Sequence, residues 1–340
     1  MKRLFILTIL AISSLNLRAQ DAVLRAEIEA RVDYMQEFRS SENYGPGSGF
    51  KGRYILLRAD GQLSDNFSYS LRQRINKPTT NLSLFDDTDW IQVKYTKGPW
   101  EIAAGKQVVA IGGYEYDTSP VNLFICSEYW HNLPCFQFGI SGAYTFATGN
   151  DRMTFQISES PFRRGSLNIE DKGLLAYNLM WNGSHGWFNS ICSVNMMEYM
   201  PGKYINYIAL GGEFRFGDFA VQLDMTNRAT SLETLCFEDY TVMGDISWTP
   251  TDALKIFVRA IHERNRSVTG DLCVAPGTDI VRAGAGLEYF PLKNNKNLRL
   301  HLNCCYTDGD SPATNALQPA QTIIDGGITW KMNLLNIKRK

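Results

Sequence analysis

Arg72 and Arg74 stand two residues apart at the end of the alternating run Phe67-Ser68-Tyr69-Ser70-Leu71-Arg72. An extended strand places both guanidinium groups on one face, about 7 Å apart, where their planar forks match the oxygens of phosphate and carboxylate in pairs. Lys94, on the segment expected to lie beside them, extends the basic patch. This is anion-binding chemistry rather than bond-breaking chemistry. The four histidines, His131, His185, His262 and His301, do not sit beside an obvious nucleophile, and Gly-x-Ser-x-Gly does not occur. No catalytic residue is expected. Nor is a metal site or cofactor, because the seven cysteines form neither Cys-x-x-Cys nor a Cys/His cluster of zinc spacing. The acidic runs Asp86-Asp87-Thr88-Asp89 and Asp308-Gly309-Asp310 lack the full ligand spacing of a calcium loop and read as solvated loop charge.

The elements that must position these groups are strands. In Leu24-Arg25-Ala26-Glu27-Ile28-Glu29-Ala30-Arg31-Val32-Asp33-Tyr34 every even position is apolar or aromatic and every odd one charged. That period of two gives one face for lipid and one for water. The alternation returns in Phe219-Ala220-Val221-Gln222-Leu223-Asp224-Met225 and in Leu298-Arg299-Leu300-His301-Leu302-Asn303. About sixteen such stretches fit between Leu24 and Leu334. A soluble sandwich alternates too, so the connections decide.

Tight turns fall after every second strand, as at Thr96-Lys97-Gly98-Pro99, Phe216-Gly217-Asp218 and Thr249-Pro250-Thr251-Asp252. The intervening connections, among them 38–49, 76–89, 108–134 and 307–321, are mostly long, with Met200-Pro201-Gly202-Lys203 as the short exception. Alternating short turns and long loops describe an all-β, closed antiparallel transmembrane barrel of about sixteen strands, with the turns periplasmic and the loops extracellular.

Lys2 and Arg3, an apolar run from Leu4 to Ile12, and Leu17-Arg18-Ala19 form a secretory leader, too short to span a membrane as a helix. The expected division is therefore 1–19 as signal peptide and 20–340 as one barrel domain. Loss of Lys2, Arg3 and Arg18 takes the net charge from −1 to about −4, which argues against a nucleic-acid partner. Outer-membrane lipid is the expected partner, and a homotrimer is common for barrels of this size. The odd number of cysteines leaves at least one unpaired in an oxidising compartment. Cys192 and Cys304 fall in the lipid phase, while Cys126 and Cys135 flank the longest loop, where either a bridge or two free thiols would fit.

The lumen phase carries Arg25, Arg31, Lys51, Arg53, Arg72, Arg74, Lys94, Arg215, Lys255, Arg259, Arg282, Arg299 and Lys331 against Glu27, Glu29, Asp33, Glu101, Glu213, Asp224, Asp245, Glu288 and Asp325. A wet pore with more positive than negative charge on its wall concentrates anions, unless the charges pair across strands. Arg72, Arg74, Lys94, Arg259, Arg282 and Arg299 are the expected pore-lining or anion-binding groups.

The segment Ala104-Gly105-Lys106-Gln107-Val108-Val109-Ala110-Ile111-Gly112-Gly113-Tyr114-Glu115-Tyr116-Asp117 closes the fifth strand and opens the longest loop. Here the chain resembles the phosphate-selective porin O and P family, whose members carry a Gly-(Lys/Gln)-Gln strand end, a Gly-x-Glu-type turn and a long loop. The motifs cover about Trp90 to Phe146; elsewhere the likeness lies in strand pattern. The resemblance implies that Lys106, Gln107 and Glu115 occupy motif positions. It also implies that loop 108–134, with Tyr114, Glu115, Tyr116 and Asp117, folds inward as a constriction. The loops lack the run of arginines and lysines that accompanies phosphate selectivity. By simple counting Lys106 faces lipid, so a bulge near Gly105 is required to turn it inward.

The sequence thus favours an outer-membrane porin for small hydrophilic solutes with a weak preference for anions, phosphate among them. The competing readings are a barrel whose outer loops bind a ligand or partner while the lumen conducts little, and a surface hydrolase.

Overall fold

The computed structural model describes residues 23–76, 87–164, 173–231, 238–267, 273–293, 295–312 and 316–337. The leader expected at 1–19, Cys236 and Asp86 lie outside the described residues.

One closed antiparallel sheet makes up nearly the whole molecule. Its strands in chain order are β1 (Leu24–Arg39), β2 (Glu42–Asn43), β3 (Gly49–Gln62), β4 (Phe67–Arg74), β5 (Thr88–Lys97), β6 (Trp100–Val108), β7 (Phe136–Thr145), β8 (Asp151–Glu159) and β9 (Leu175–His185). They continue as β10 (Phe188–Met200), β11 (Lys203–Phe216), β12 (Phe219–Ala229), β13 (Asp239–Thr251), β14 (Leu254–Asn265), β15 (Asp279–Tyr289), β16 (Leu298–Ser311) and β17 (Ala316–Ile337). The two-residue β2 only decorates the first outer connection, leaving sixteen long strands among the described residues. Each pairs with its neighbours in sequence, and β1 closes the ring by pairing with β17 on one side and β3 on the other. Closure leaves no strand edge, so the backbone groups of the wall are paired without water. No helix of the described residues is long and apolar enough to cross a membrane, and the crossing is made by strands.

Two expectations change. β16 runs to Ser311 and β17 starts at Ala316, so most of the segment expected as loop 307–321 is strand. In β3 a register shift opposite Arg31/Val32 inserts Arg53, which reverses the phase of everything after it. Tyr54 therefore pairs with Arg31 and Arg58 with Glu27, and both turn to the lumen.

The outer face follows the apolar phase: Leu223 is 54% exposed and Leu302 51%. Near the periplasmic turns, rings form a girdle, with Trp100 and Tyr144 at 4.7 Å, Phe67 and Tyr95 at 4.9 Å, and Phe219 stacked on Trp248 at 5.8 Å. Amphipathic rings belong at that boundary between lipid and water.

Candidate functional site

The connection between β6 and β7 does not leave the barrel; it crosses the lumen. It contains two short helices, α1 (Tyr114–Asp117) and α2 (Glu128–Asn132). Its entry runs against β10 at Gly112-Gly113, where the Gly113 N–H donates to the Ile191 carbonyl at 3.0 Å and Gly113 takes φ +102°. A side chain on Gly112 would meet the Ile191 carbonyl oxygen at 2.7 Å, so only glycine fits there.

Charged wall side chains then hold the loop's backbone. Arg299 donates to the Val121 carbonyl at 2.8 Å, Arg31 to Leu123 at 2.8 Å and Arg259 to Ile125 at 2.9 Å, while Arg282 donates to Cys126. The loop's N–H groups meet acids instead. Asp224 accepts from Glu115 N at 2.7 Å, and Glu263 accepts from Glu128 N at 2.7 Å and Tyr129 N at 3.1 Å. Charge-assisted bonds of this kind are roughly twice as strong as neutral ones, and they satisfy backbone groups that a loop carried into a lumen would otherwise leave unpaired.

Phe124 seats the middle of the loop. Its ring lies 4.6 Å from His301 and stacks on Phe257 at 5.8 Å, with the Arg31 guanidinium 4.4 Å and that of Arg299 5.3 Å from its centre. Beneath it Asp33, His301 and Asp325 bring ligand atoms within 4.8 Å of one another. That cluster is already served by a cation, since Arg31 donates to Asp33 at 2.9 Å and reaches Asp325 at 3.4 Å. A metal ion would have to displace it.

Glu115 is buried inside the loop, accepting from Ser127 N at 2.9 Å and Ser127 Oγ at 2.6 Å. Burial pushes its carboxyl up to about 7, against the pull of Arg259 and the two bonds from Ser127. The Cys126 and Cys135 thiols are pushed up by burial to about 12 and about 11. Both are unbridged, so charged wall groups rather than a disulfide restrain this loop.

Between the loop and the opposite wall lies a cavity of about 1320 Å³, bordered by side chains from β3 to β9, by Glu27 and Glu29 of β1 and Lys331 of β17, and by loop residues including Tyr116 and Asp117. Of the residues singled out in the sequence, Arg72, Arg74, Lys94, Lys106 and Gln107 border it. Arg259, Arg282 and Arg299 do not; they face the lumen as expected but lie under the loop. Tyr114 and Glu115 are on the loop yet away from the cavity's lining. The ladder passes through Gly105 without a register shift, so the bulge expected there is absent. Gly105 instead adopts φ +126°, and Lys106 is buried at the cavity wall.

The cavity's ion pairs are unequal. Arg72 at 2.8 Å and Arg74 at 3.4 Å share the single carboxylate of Asp89. Arg152 at 2.8 Å and Lys94 at 3.5 Å share Glu101. Each group of three keeps one positive charge. Three groups missed in the sequence also border the cavity: Arg58, paired with Asp60 at 2.6 Å, Trp90, whose ring lies 3.9 Å from the Arg72 guanidinium, and Arg152. The bulge at Arg53 hid the first, while an aromatic at a strand position gave no charge signal for the second.

Residues 25–174 match the family model described as phosphate-selective porin O and P. No curated protein sequence matches the chain. Among solved structures, the anion-selective porin from Comamonas acidovorans aligns over 92% of this chain and 100% of its own, at 10% identity and a TM-score of 0.67. The outer membrane channel DcaP of Acinetobacter baumannii aligns over 92% of this chain and 97% of its own, at 10% identity and a TM-score of 0.63. In-vitro folded OmpT of Vibrio cholerae, in a trimer form, aligns over 91% and 99%, at 10% identity and a TM-score of 0.59. The match of residues 25–174 to that family model, together with the closed barrel and its inward loop, supports a porin-type channel of the bacterial outer membrane.

Proposed function

We propose that this channel passes small hydrophilic anions between the inward loop and the wall from β3 to β9, with Arg72, Arg74, Lys94 and Lys106 drawing them in and Gln107 offering amide contacts. The supporting observation is the two-to-one pairing of bases with acids, Arg72 and Arg74 on Asp89, Lys94 and Arg152 on Glu101. Unmatched charge on a low-dielectric wall acts on a permeating ion more strongly than the same charge in open water. Arg259, Arg282 and Arg299 take a different part, holding the constriction that Tyr116 and Asp117 border. Phosphate and other small oxyanions suit the planar guanidinium forks at this wall, in keeping with the names of the matched family and of the Comamonas porin.

In this reading residues 1–19 are removed on export, giving a mature N-terminus at Gln20, and the barrel assembles as a homotrimer like the trimer form of OmpT. N-terminal sequencing and cross-linking of the outer-membrane protein test those two points. The channel itself is tested by purified protein in a planar bilayer under a salt gradient. Current with an anion-selective reversal potential is expected. A cation-selective potential, or a folded barrel that inserts and carries no current, overturns the proposal.

A further inference from the structure

A second cavity of about 610 Å³ lies on the periplasmic side of the first, bordered by Asp60, Gly61, Gln62 and Ser68 beside the turn between β3 and β4. Arg58, Trp90, Gln92, Lys94 and Val108 border both cavities. A solute moving from one to the other therefore passes these side chains, four of them polar or aromatic. Register explains why they gather. Glu27 pairs with Arg58, Arg58 with Arg72, and Arg72 with Trp90, one level across four adjacent strands.

Trp90 is held rather than free. Its Nε1–H donates to Ser70 Oγ at 2.8 Å, and Ser70 Oγ in turn donates to Asp60 at 2.6 Å. The Arg72 guanidinium lies 3.9 Å from the ring centre and that of Arg58 5.8 Å. Phe136 stands 6.1 Å away. A fixed indole costs a passing solute no ordering of the wall, and guanidinium groups beside it offer hydrogen-bond donors to a carboxylate.

We propose that Arg58, Trp90, Gln92 and Lys94 form a filter between the two cavities that favours planar aromatic carboxylates over compact anions, the ring stacking on Trp90 while the carboxylate meets Arg58 and Lys94. The inference rests on the anion-channel reading and deepens it by naming a solute class. Stacking of one ring is worth roughly two- to tenfold in affinity.

The test is block of chloride current through the full barrel in planar bilayers by benzoate and, separately, by acetate. Wild type should be half-blocked by benzoate at a concentration roughly two- to tenfold below that for acetate. Trp90→Leu should bring the two values together, and Trp90→Phe should keep them apart. Arg58→Gln should weaken both blockers. Equal block by benzoate and acetate in wild type overturns the filter, as does a benzoate preference that survives Trp90→Leu. Because wild type alone decides the first comparison, misfolding of a variant does not rescue the idea. A chloride reversal potential that is not anion-selective in the same membranes contradicts the underlying channel reading instead.

Discussion

The Arg31 guanidinium donates to the carbonyl of Leu123, 92 positions later in the chain, at 2.8 Å. Both of its other partners, Asp33 and Asp325, are wall carboxylates, so Arg31 joins three segments at one point. The same arrangement recurs at Arg259, which joins Asp245 of β13 to the Ile125 carbonyl. One set of lumen charges thus shapes the constriction, and another borders the cavity beside it.

Arg259→Gln tests the shaping half. It leaves the Asp245 carboxylate buried without its cation and the Ile125 carbonyl without its donor. Breaking a buried pair from one side costs about 3 kcal/mol. The melting temperature of the folded barrel in detergent should fall, and single-channel traces should show loop-dependent flicker absent from wild type. A silent variant would mean that the loop is held elsewhere.

Glu115 predicts a pH dependence. Its carboxyl ordinarily titrates near 4.5 and sits at about 7 in the folded protein, so the folded state holds the proton more tightly than the unfolded state. The stability it contributes is therefore fully present below about pH 4.5, declines as pH rises, and is lost above about pH 7. Glu115→Gln, which imitates the protonated form, should gain in melting temperature over wild type between those values and hold a constant advantage above them. A difference that does not change with pH contradicts the buried, proton-bearing Glu115.

Leu223 and Gln222 test the facing of β12. Leu223 points to lipid, 54% exposed, whereas the Gln222 amide donates to Glu213 at 2.8 Å on the lumen side. Leu223→Arg should cost about 2–4 kcal/mol in lipid and Gln222→Arg close to nothing, measured by folding titration into vesicles. Equal losses would refute the assignment.

Gly105→Ala should fail to fold well. At φ +126° an added Cβ runs into the Ile91 carbonyl, and strain of that kind costs about 2 kcal/mol or more. Normal folding yield would show that the strand end relaxes without penalty.

Much of this was legible in the sequence because a barrel wall has a period of two and its turns a composition of their own. β1 shows its facing residue by residue, and Arg72 and Arg74 stand on the cavity wall as their spacing requires. What was hidden has two physical causes. A single inserted residue, Arg53, reverses the phase of β3, so Tyr54 and Arg58 read as lipid-facing when counted from Lys51. And the partners of Arg259 and Arg299 lie 134 and 178 positions away, in a loop whose carbonyls carry no sequence signal. Periodicity tells which way a side chain points; it does not tell whether water or another part of the chain is waiting there.

In the proposed channel, the two bases that share each acid on the cavity wall set the preference for anions. The most direct measurement is the reversal potential across a salt gradient for wild type and for Arg72→Ala/Arg74→Ala, taken near 0.1 M and near 1 M salt, where the screening length falls from about 10 Å to about 3 Å. The double variant leaves the Asp89 carboxylate without the two bases paired with it. Wild type should be anion-selective at low salt, the variant should show a marked fall in that preference, and the difference should be much smaller near 1 M. Identical reversal potentials at low salt would contradict it.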